Sequence, residues 1–249
     1  MSTAARPAAS ARPHPWSLGR AMPVRTGEYK WVYLWGLPLR VMHWTAAVAI
    51  VALIISGFFI GRPYFVRDFG ETWTLTMSRA RFVHFLAAAV LVSTALVRLY
   101  WLVAGNKFER FEALFPVRGR DLVNLVRMTK FYLFLSREEP HYLGHHPLQQ
   151  LSYTGIYLIA VVEVLTGFAL YAMADPTGPL GWALLLSSKF AGIQGIRWIH
   201  HVITWVFIIF IPAHIYLAAR ADVWEHGGTV SSIVSGGRFV PKDMHFVDE

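Results

Sequence analysis

His43, His84, His200 and His214 are imidazoles set inside long apolar runs of a 249-residue chain that contains no cysteine. Without cysteine there is no thiolate-held iron–sulfur cluster, no zinc ribbon and no thioether-attached haem. Any redox or metal centre must be held by other donors, and imidazole is the donor this sequence places in its apolar segments. His200 and His214 stand 14 residues apart. On an α-helix that interval returns to within about 40° of the same face and advances about 21 Å, so the two look into one interior at two depths. His201 lies about 140° away from His214 on the same helix and is the poorer partner. The same interval separates His43 from Gly57 and His84 from Arg98.

Long helices must position these residues. A composition of 55% hydrophobic and 15% charged residues does not suit a water-exposed surface. Four stretches, 41–61, 82–104, 151–174 and 198–219, reach the roughly 20 residues that a hydrocarbon core requires. Arg98 and Glu163 are the only acidic or basic residues within them. The expected architecture is an all-α integral membrane four-helix bundle. Lys and Arg outside the spans number 16 in the two ends and the loop 105–150, against 6 in the other two loops. By the positive-inside rule both termini are cytoplasmic. The net charge of +8 is then an orientation signal, not the clustered basic face of a nucleic-acid binder, and no nucleic-acid partner is expected.

In that orientation His84 and His200 share an outer level, and His43 and His214 an inner one. Two bis-imidazole pairs in such a bundle, with no cysteine and no Glu-x-x-His in the spans, suit two haem b groups better than zinc or di-iron. Three of the four histidines follow an arginine by one helical turn: Arg40, Arg81 and Arg197. These could hold haem propionates at the membrane edge, or could be snorkelling residues that mark helix ends. Arg98 lies inside its span, level with the inner pair. Gly57 and Gly167 would leave room for a flat macrocycle, or could serve close helix packing. Glu163 has three readings: a proton relay, an ion-pair partner of Arg98, or a neutral acid hydrogen-bonded in the bundle.

Residues 1–28, rich in Ala, Arg, Pro and Ser, lack the apolar core of a signal peptide and read as a disordered cytoplasmic tail. Residues 29–239 form the four-helix domain and 240–249 a second cytoplasmic tail. Leu122, Val123, Leu125, Val126, Met128, Phe131 and Leu135, interrupted by Arg127 and Lys130, suit a helix at the cytoplasmic interface or a buried amphipathic turn beneath the bundle. A short apolar run at 179–186, after Pro176 and Gly178, is expected to dip into the outer interface or meet a partner.

Longer motifs carry a resemblance. They are Pro38-Leu-Arg-Val-Met-His43-Trp44, Ser56-Gly-Phe-Phe-Ile-Gly61, Arg81-Phe-Val-His84-Phe85, Arg98-Leu-Tyr-Trp-Leu-Val-Ala-Gly-Asn106, Tyr132-Leu-Phe-Leu135, Gly144-His-His-Pro-Leu148, Thr166-Gly-Phe-Ala-Leu-Tyr171, His200-His201 with His214-Ile-Tyr216, and Ser231-Ser-Ile-Val-Ser-Gly-Gly-Arg238. From about Tyr29 to Phe239 the chain resembles the b-type cytochrome subunit of membrane-bound nickel–iron uptake hydrogenases. The resemblance implies two haems b ligated by His43, His84, His200 and His214. It also implies docking to an iron–sulfur small subunit, and through it to the large nickel–iron subunit, on the periplasmic side of a bacterial inner membrane. Quinone reduction would lie near the inner side, with roles for Tyr132 and Gln149. Where relatives carry Asn after Gly-His this chain has His146, next to His145. Ala221 replaces a common acidic residue, and Glu163 stands where an apolar residue is expected.

On this reading the chain is an electron-transfer subunit with no catalytic residue of its own. Electrons would enter at the outer haem, pass to the inner haem and reduce a quinone, with protons taken up near His145, His146 and Gln149. One alternative is the related cytochrome subunit of a formate dehydrogenase or thiosulfate reductase, which lacks the Gly-His-x-Pro and carboxy-terminal motifs. Another is a histidine-lined membrane metal transporter, for which inverted repeats and broken mid-membrane helices would be expected.

Overall fold

A computed structural model describes residues 28–63, 71–116, 119–133, 135–136, 141–225 and 227–249. Apart from Glu28, the tail expected over residues 1–28 lies outside the described residues. In chain order the elements are β1 (Tyr29–Tyr33), α1 (Leu37–Gly61), α2 (Glu71–Ala104), α3 (Phe111–Leu114), α4 (Gly119–Tyr132) and α5 (Pro147–Ala172), then a 3-10 helix (Gly181–Lys189), α6 (Gly192–Glu225), α7 (Thr229–Ser235) and β2 (Gly237–Pro241).

The helices α1, α2, α5 and α6 are each long and apolar enough to cross a membrane. Their flanks present large exposed apolar side chains, among them Val48, Ile55, Leu96, Val103, Leu158 and Ile209. In water such a surface would be a liability, and in a bilayer it is solvated by lipid. The fold is that of a mostly helical, multi-pass membrane protein. Most helix ends run past the spans read from hydropathy, because helical hydrogen bonding continues into polar turns where the apolar signal has stopped. The clearest case is α6, which carries through Pro212 and on to Glu225.

Helix α1 packs against α2, and α5 packs against α6. The two pairs meet through rings. Phe58 of α1 lies edge-on to His201 and Trp205 of α6, and Phe85 of α2 lies edge-on to Tyr171 of α5.

One end of the bundle is closed by a feature the all-α expectation does not contain. β1 and β2 pair antiparallel, with Trp31 opposite Phe239 and their ring centres 4.8 Å apart. Beneath the ribbon Leu34, Trp35, Phe108, Leu143 and Val240 form a buried cluster. Trp35 Nε1 donates to Ser232 Oγ at 3.1 Å, which ties the entry of α1 to α7. Gly236 has φ +97°, a conformation that favours glycine. It ends α7, and its carbonyl accepts from the N–H groups of Leu34 and Trp35 at 2.8 Å each. The start of α1 is satisfied from another helix connection, since Gly36 N–H donates to the Glu109 carboxylate.

Residues 240–249, expected as a tail, are packed at this ribbon end. The Asp248 carboxylate accepts from Leu143 N–H at 2.7 Å and Gly144 N–H at 2.8 Å, and Val247 N–H donates to the His141 carbonyl at 3.0 Å. The segment expected either at an interface or as a buried turn beneath the bundle lies mostly in α4. It buries Asp121, Asn124 and Met128 while exposing Leu122, Val123 and Val126, so its apolar face points outward, as on a membrane-surface helix. At the opposite end of the bundle the 3-10 helix, which takes in residues 181–186 of the apolar run 179–186, packs Ala183 against Ala169 and Ile196.

Candidate functional site

Four histidines project between the helix pairs at two levels. At the level nearer the 3-10 helix, His84 of α2 and His200 of α6 are held in matching ways. Ser56 Oγ lies 3.0 Å from His84 Nδ1, and Thr166 Oγ1 lies 3.0 Å from His200 Nδ1. Each hydroxyl gives its own proton to its helix backbone: Ser56 to the Ala52 carbonyl at 2.6 Å, and Thr166 to the Val162 or Glu163 carbonyl at 2.9 Å. With the proton so placed, each hydroxyl offers the imidazole a lone pair. In the tautomer this favours, Nδ1 carries the proton on both rings, and Nε2 keeps a free lone pair suited to a metal.

The residue after each hydroxyl is glycine. A Cβ at Gly57 would stand 3.2 Å from His84 Cε1, and one at Gly167 would stand 3.4 Å from His200 Cε1. At Gly57 that is tighter than ordinary contact and at Gly167 it is about van der Waals contact, so both glycines keep the backbone close to a ring, Gly57 more tightly. The signal was present in the sequence as a repeated tripeptide, Ser56-Gly57-Phe58 and Thr166-Gly167-Phe168. Spacing and size point to the glycines, whereas the hydroxyls are marked only by this repeat.

At the level nearer the ribbon, the ring centres of His43 and His214 lie 6.4 Å apart. That separation leaves room for one metal ion between the two rings. Phe210 stacks on His214 at 5.6 Å, Tyr153 lies 6.2 Å from it, and Trp44 stands edge-on to His43 at 5.2 Å. Several buried donors here have no hydrogen-bond partner: Nε and Nη1 of Arg98, Nε of Arg40 and Nδ1 of His43. Arg98 Nη2 does donate, to the Glu109 carbonyl at 3.1 Å, and Arg40 Nη1 donates to the Val234 carbonyl. Cationic donors left open in an apolar setting fit an anionic group such as a haem propionate.

Among the described residues no group of three or more His, Cys, Asp or Glu side chains could hold a metal ion. Paired imidazoles leave four positions of an octahedral iron to be filled, which is what a porphyrin supplies. The residues therefore fit haem b. Arg81 and Arg197 are exposed near the 3-10 end, and Arg197 Nη1 donates to Gln194 Oε1 at 3.3 Å. His201 turns away from the paired rings, accepting from Trp205 Nε1 at 3.2 Å. Glu163 does not meet Arg98. Its Oε1 accepts from Thr204 Oγ1 at 3.0 Å, and its Oε2 lies 3.4 Å from His200 Nδ1.

The remaining candidates gather at the ribbon end. His146 is the N-cap of α5, its Nδ1 accepting from Gln149 N–H at 3.3 Å while Gln149 Oε1 accepts from His146 N–H at 3.2 Å. This reciprocal box satisfies open N–H groups at the helix start. It also leaves the His146 ring proton on Nε2, 3.5 Å from the Tyr132 hydroxyl. Arg220 sits over the Tyr132 ring at 5.4 Å. His145 is buried between Trp35 and Tyr153, with ring centres 4.9 Å from each. Burial, followed by the charge of Arg98 and then His214, pushes His145 down to about 4. Burial and then His145 push His146 down to about 3. Both rings are neutral at neutral pH.

Apolar membrane-crossing helices with inward-facing pairs of imidazoles define a membrane-bound b-type cytochrome. The family model described as prokaryotic cytochrome b561 matches residues 34–236, and the chain belongs to that family of haem-carrying electron-transfer proteins. It is 36% identical over 219 residues to a probable Ni/Fe-hydrogenase B-type cytochrome subunit of Azotobacter chroococcum, covering 85% of this chain and 90% of that one. It is 34% identical over 216 residues to a protein of the same name from Cupriavidus necator, covering 84% and 87% respectively. A probable Ni/Fe-hydrogenase 1 B-type cytochrome subunit of Escherichia coli is 27% identical over 217 residues, covering 83% and 90%.

Proposed function

We propose that this chain is the dihaem membrane subunit that carries electrons from the iron–sulfur small subunit of a periplasmic nickel–iron hydrogenase to the quinone pool of a bacterial inner membrane. Bound haem would supply the one-electron chemistry. His84 and His200 hold the haem that faces the partner, through Nε2, with Ser56 and Thr166 fixing the ring tautomer. His43 and His214 hold the second haem nearer the cytoplasm, with Arg98 and Arg40 turned toward its propionates. Arg81 and Arg197 meet the propionates of the first haem at the outer membrane edge.

Tyr132, His145, His146 and Gln149 line the quinone site. His146 presents Nε2–H as a hydrogen-bond donor there, and its neutral ring makes it a positioning group rather than a proton store. Both termini lie on the cytoplasmic side, in keeping with the distribution of Lys and Arg and with the joining of β1 to β2 at one end of the bundle.

The observation that carries this reading is the matched fixing of His84 and His200 by a hydroxyl on Nδ1 and a glycine against the ring. The partner and the direction of flow draw on the names of the relatives. The test uses membranes containing the full complex. Under hydrogen, a b-type α-band should reduce and then reoxidise on addition of quinone. A band that formate or thiosulfate chemistry turns over while hydrogen leaves it untouched would assign the chain to another oxidoreductase.

A further inference from the structure

The two hydroxyl–glycine devices differ in charge type at one place, three residues before the hydroxyl. Three residues before Ser56 stands Leu53, and three residues before Thr166 stands Glu163. An acidic residue inside a membrane span is expensive to keep and calls for a use. Glu163 Oε1 is anchored by Thr204 Oγ1 at 3.0 Å, and Thr204 also approaches the His200 carbonyl at 3.0 Å. The other oxygen, Oε2, is buried without a hydrogen-bond partner, 3.4 Å from His200 Nδ1. The Nδ1–H of His200 thus faces two side-chain acceptors, the Thr166 hydroxyl and this oxygen. At His84 the corresponding side chain is a leucine.

An acceptor oxygen of a carboxyl group on the far nitrogen of a ligating imidazole raises the basicity of the ring and favours the more highly charged metal. Ligand hydrogen bonding is one of the protein's levers on haem potential. We propose that Glu163 is a potential-setting residue. Its Oε2, 3.4 Å from His200 Nδ1, faces that nitrogen beside the Thr166 hydroxyl and lowers the reduction potential of the haem that His84 and His200 share, while Thr204 holds the carboxyl group in position. The inference rests on the reading of those two histidines as ligands of one haem.

The test is a potentiometric titration of the α-band in membranes containing the full-length chain, with the component assigned as the one that His84→Ala removes. In Glu163→Gln the midpoint of that component should rise by about 59 mV, a tenfold change in the one-electron equilibrium constant, with the other component unmoved. Glu163→Leu, which copies Leu53, should shift it at least as far in the same direction, and it decides the matter if the glutamine variant does not retain haem. Unchanged midpoints with both haems present, movement of the other component, or loss of this haem from both variants would overturn the proposal. Absence of any b-type band in the unsubstituted chain would overturn the haem reading itself and this inference with it.

Discussion

Ser56 Oγ accepts a hydrogen bond from His84 Nδ1 at 3.0 Å while giving its own proton to the Ala52 carbonyl. The ring is thereby locked with Nε2 free, which is the state a haem iron needs. Outer partners of this kind are typically worth about 10–100-fold in metal affinity. Ser56→Ala should therefore weaken haem binding at His84 and His200 by that order, read as haem content after purification at limiting haem. Retention of full content would show that the hydroxyl does not support the ligand.

Gly57 is tested by size. Its Cβ position lies 3.2 Å from His84 Cε1, whereas nothing lies within 4 Å of a Cβ at Gly61, one turn further on. Gly57→Leu should displace the ring and remove one haem per chain, while Gly61→Ala keeps both. Equal haem content in the two variants would mean that Gly57 is a packing residue only.

How far these arrangements were legible in the sequence depended on whether they were local. The histidine levels followed from helical phase, and the spans from apolar length, because both are properties of one segment. The pairing of Tyr29–Tyr33 with Gly237–Pro241 joins the two ends of the domain, and no local period announces it. Thr204 and Glu163 lie on different helices, so their bond could not be read from spacing either. Asp248 lies in the expected tail 240–249, yet two backbone N–H groups about a hundred residues earlier donate to it, a long-range contact that no local pattern announces. The capping box that His146 and Gln149 form carries no sequence signal, because histidine is not among the preferred N-cap residues.

The box separates two roles of His146. Asn is a strong N-cap and a hydrogen-bond donor, so His146→Asn should keep both the helix start and quinol formation. His146→Ala should slow quinol formation while dithionite still reduces both haems, and should cost about 1 kcal/mol of stability through the lost cap. Because burial keeps this ring neutral, with its folded value near 3, the asparagine variant should also leave the pH profile of quinol formation unchanged between about pH 5 and 8, where an ordinary imidazole titrates. A profile that loses an ionisation in this variant would make His146 a proton carrier.

Asp248 gives a test of the ribbon end. Its carboxylate meets Leu143 N–H and Gly144 N–H just before His145. Asp248→Ala leaves both without that acceptor, at a cost of about 1–3 kcal/mol for donors left unsatisfied. A lower melting temperature with both haems intact is expected. An unchanged melting temperature would show that solvent replaces the contact fully.

The central claim, two haems b on two histidine pairs, is tested most directly by counting. Reduced-minus-oxidised spectra with haem quantified per chain should give two b-type haems for the unsubstituted protein, one for His200→Ala and two for His201→Ala. An absent b-type band, or loss of a haem from His201→Ala with none lost from His200→Ala, would contradict the account.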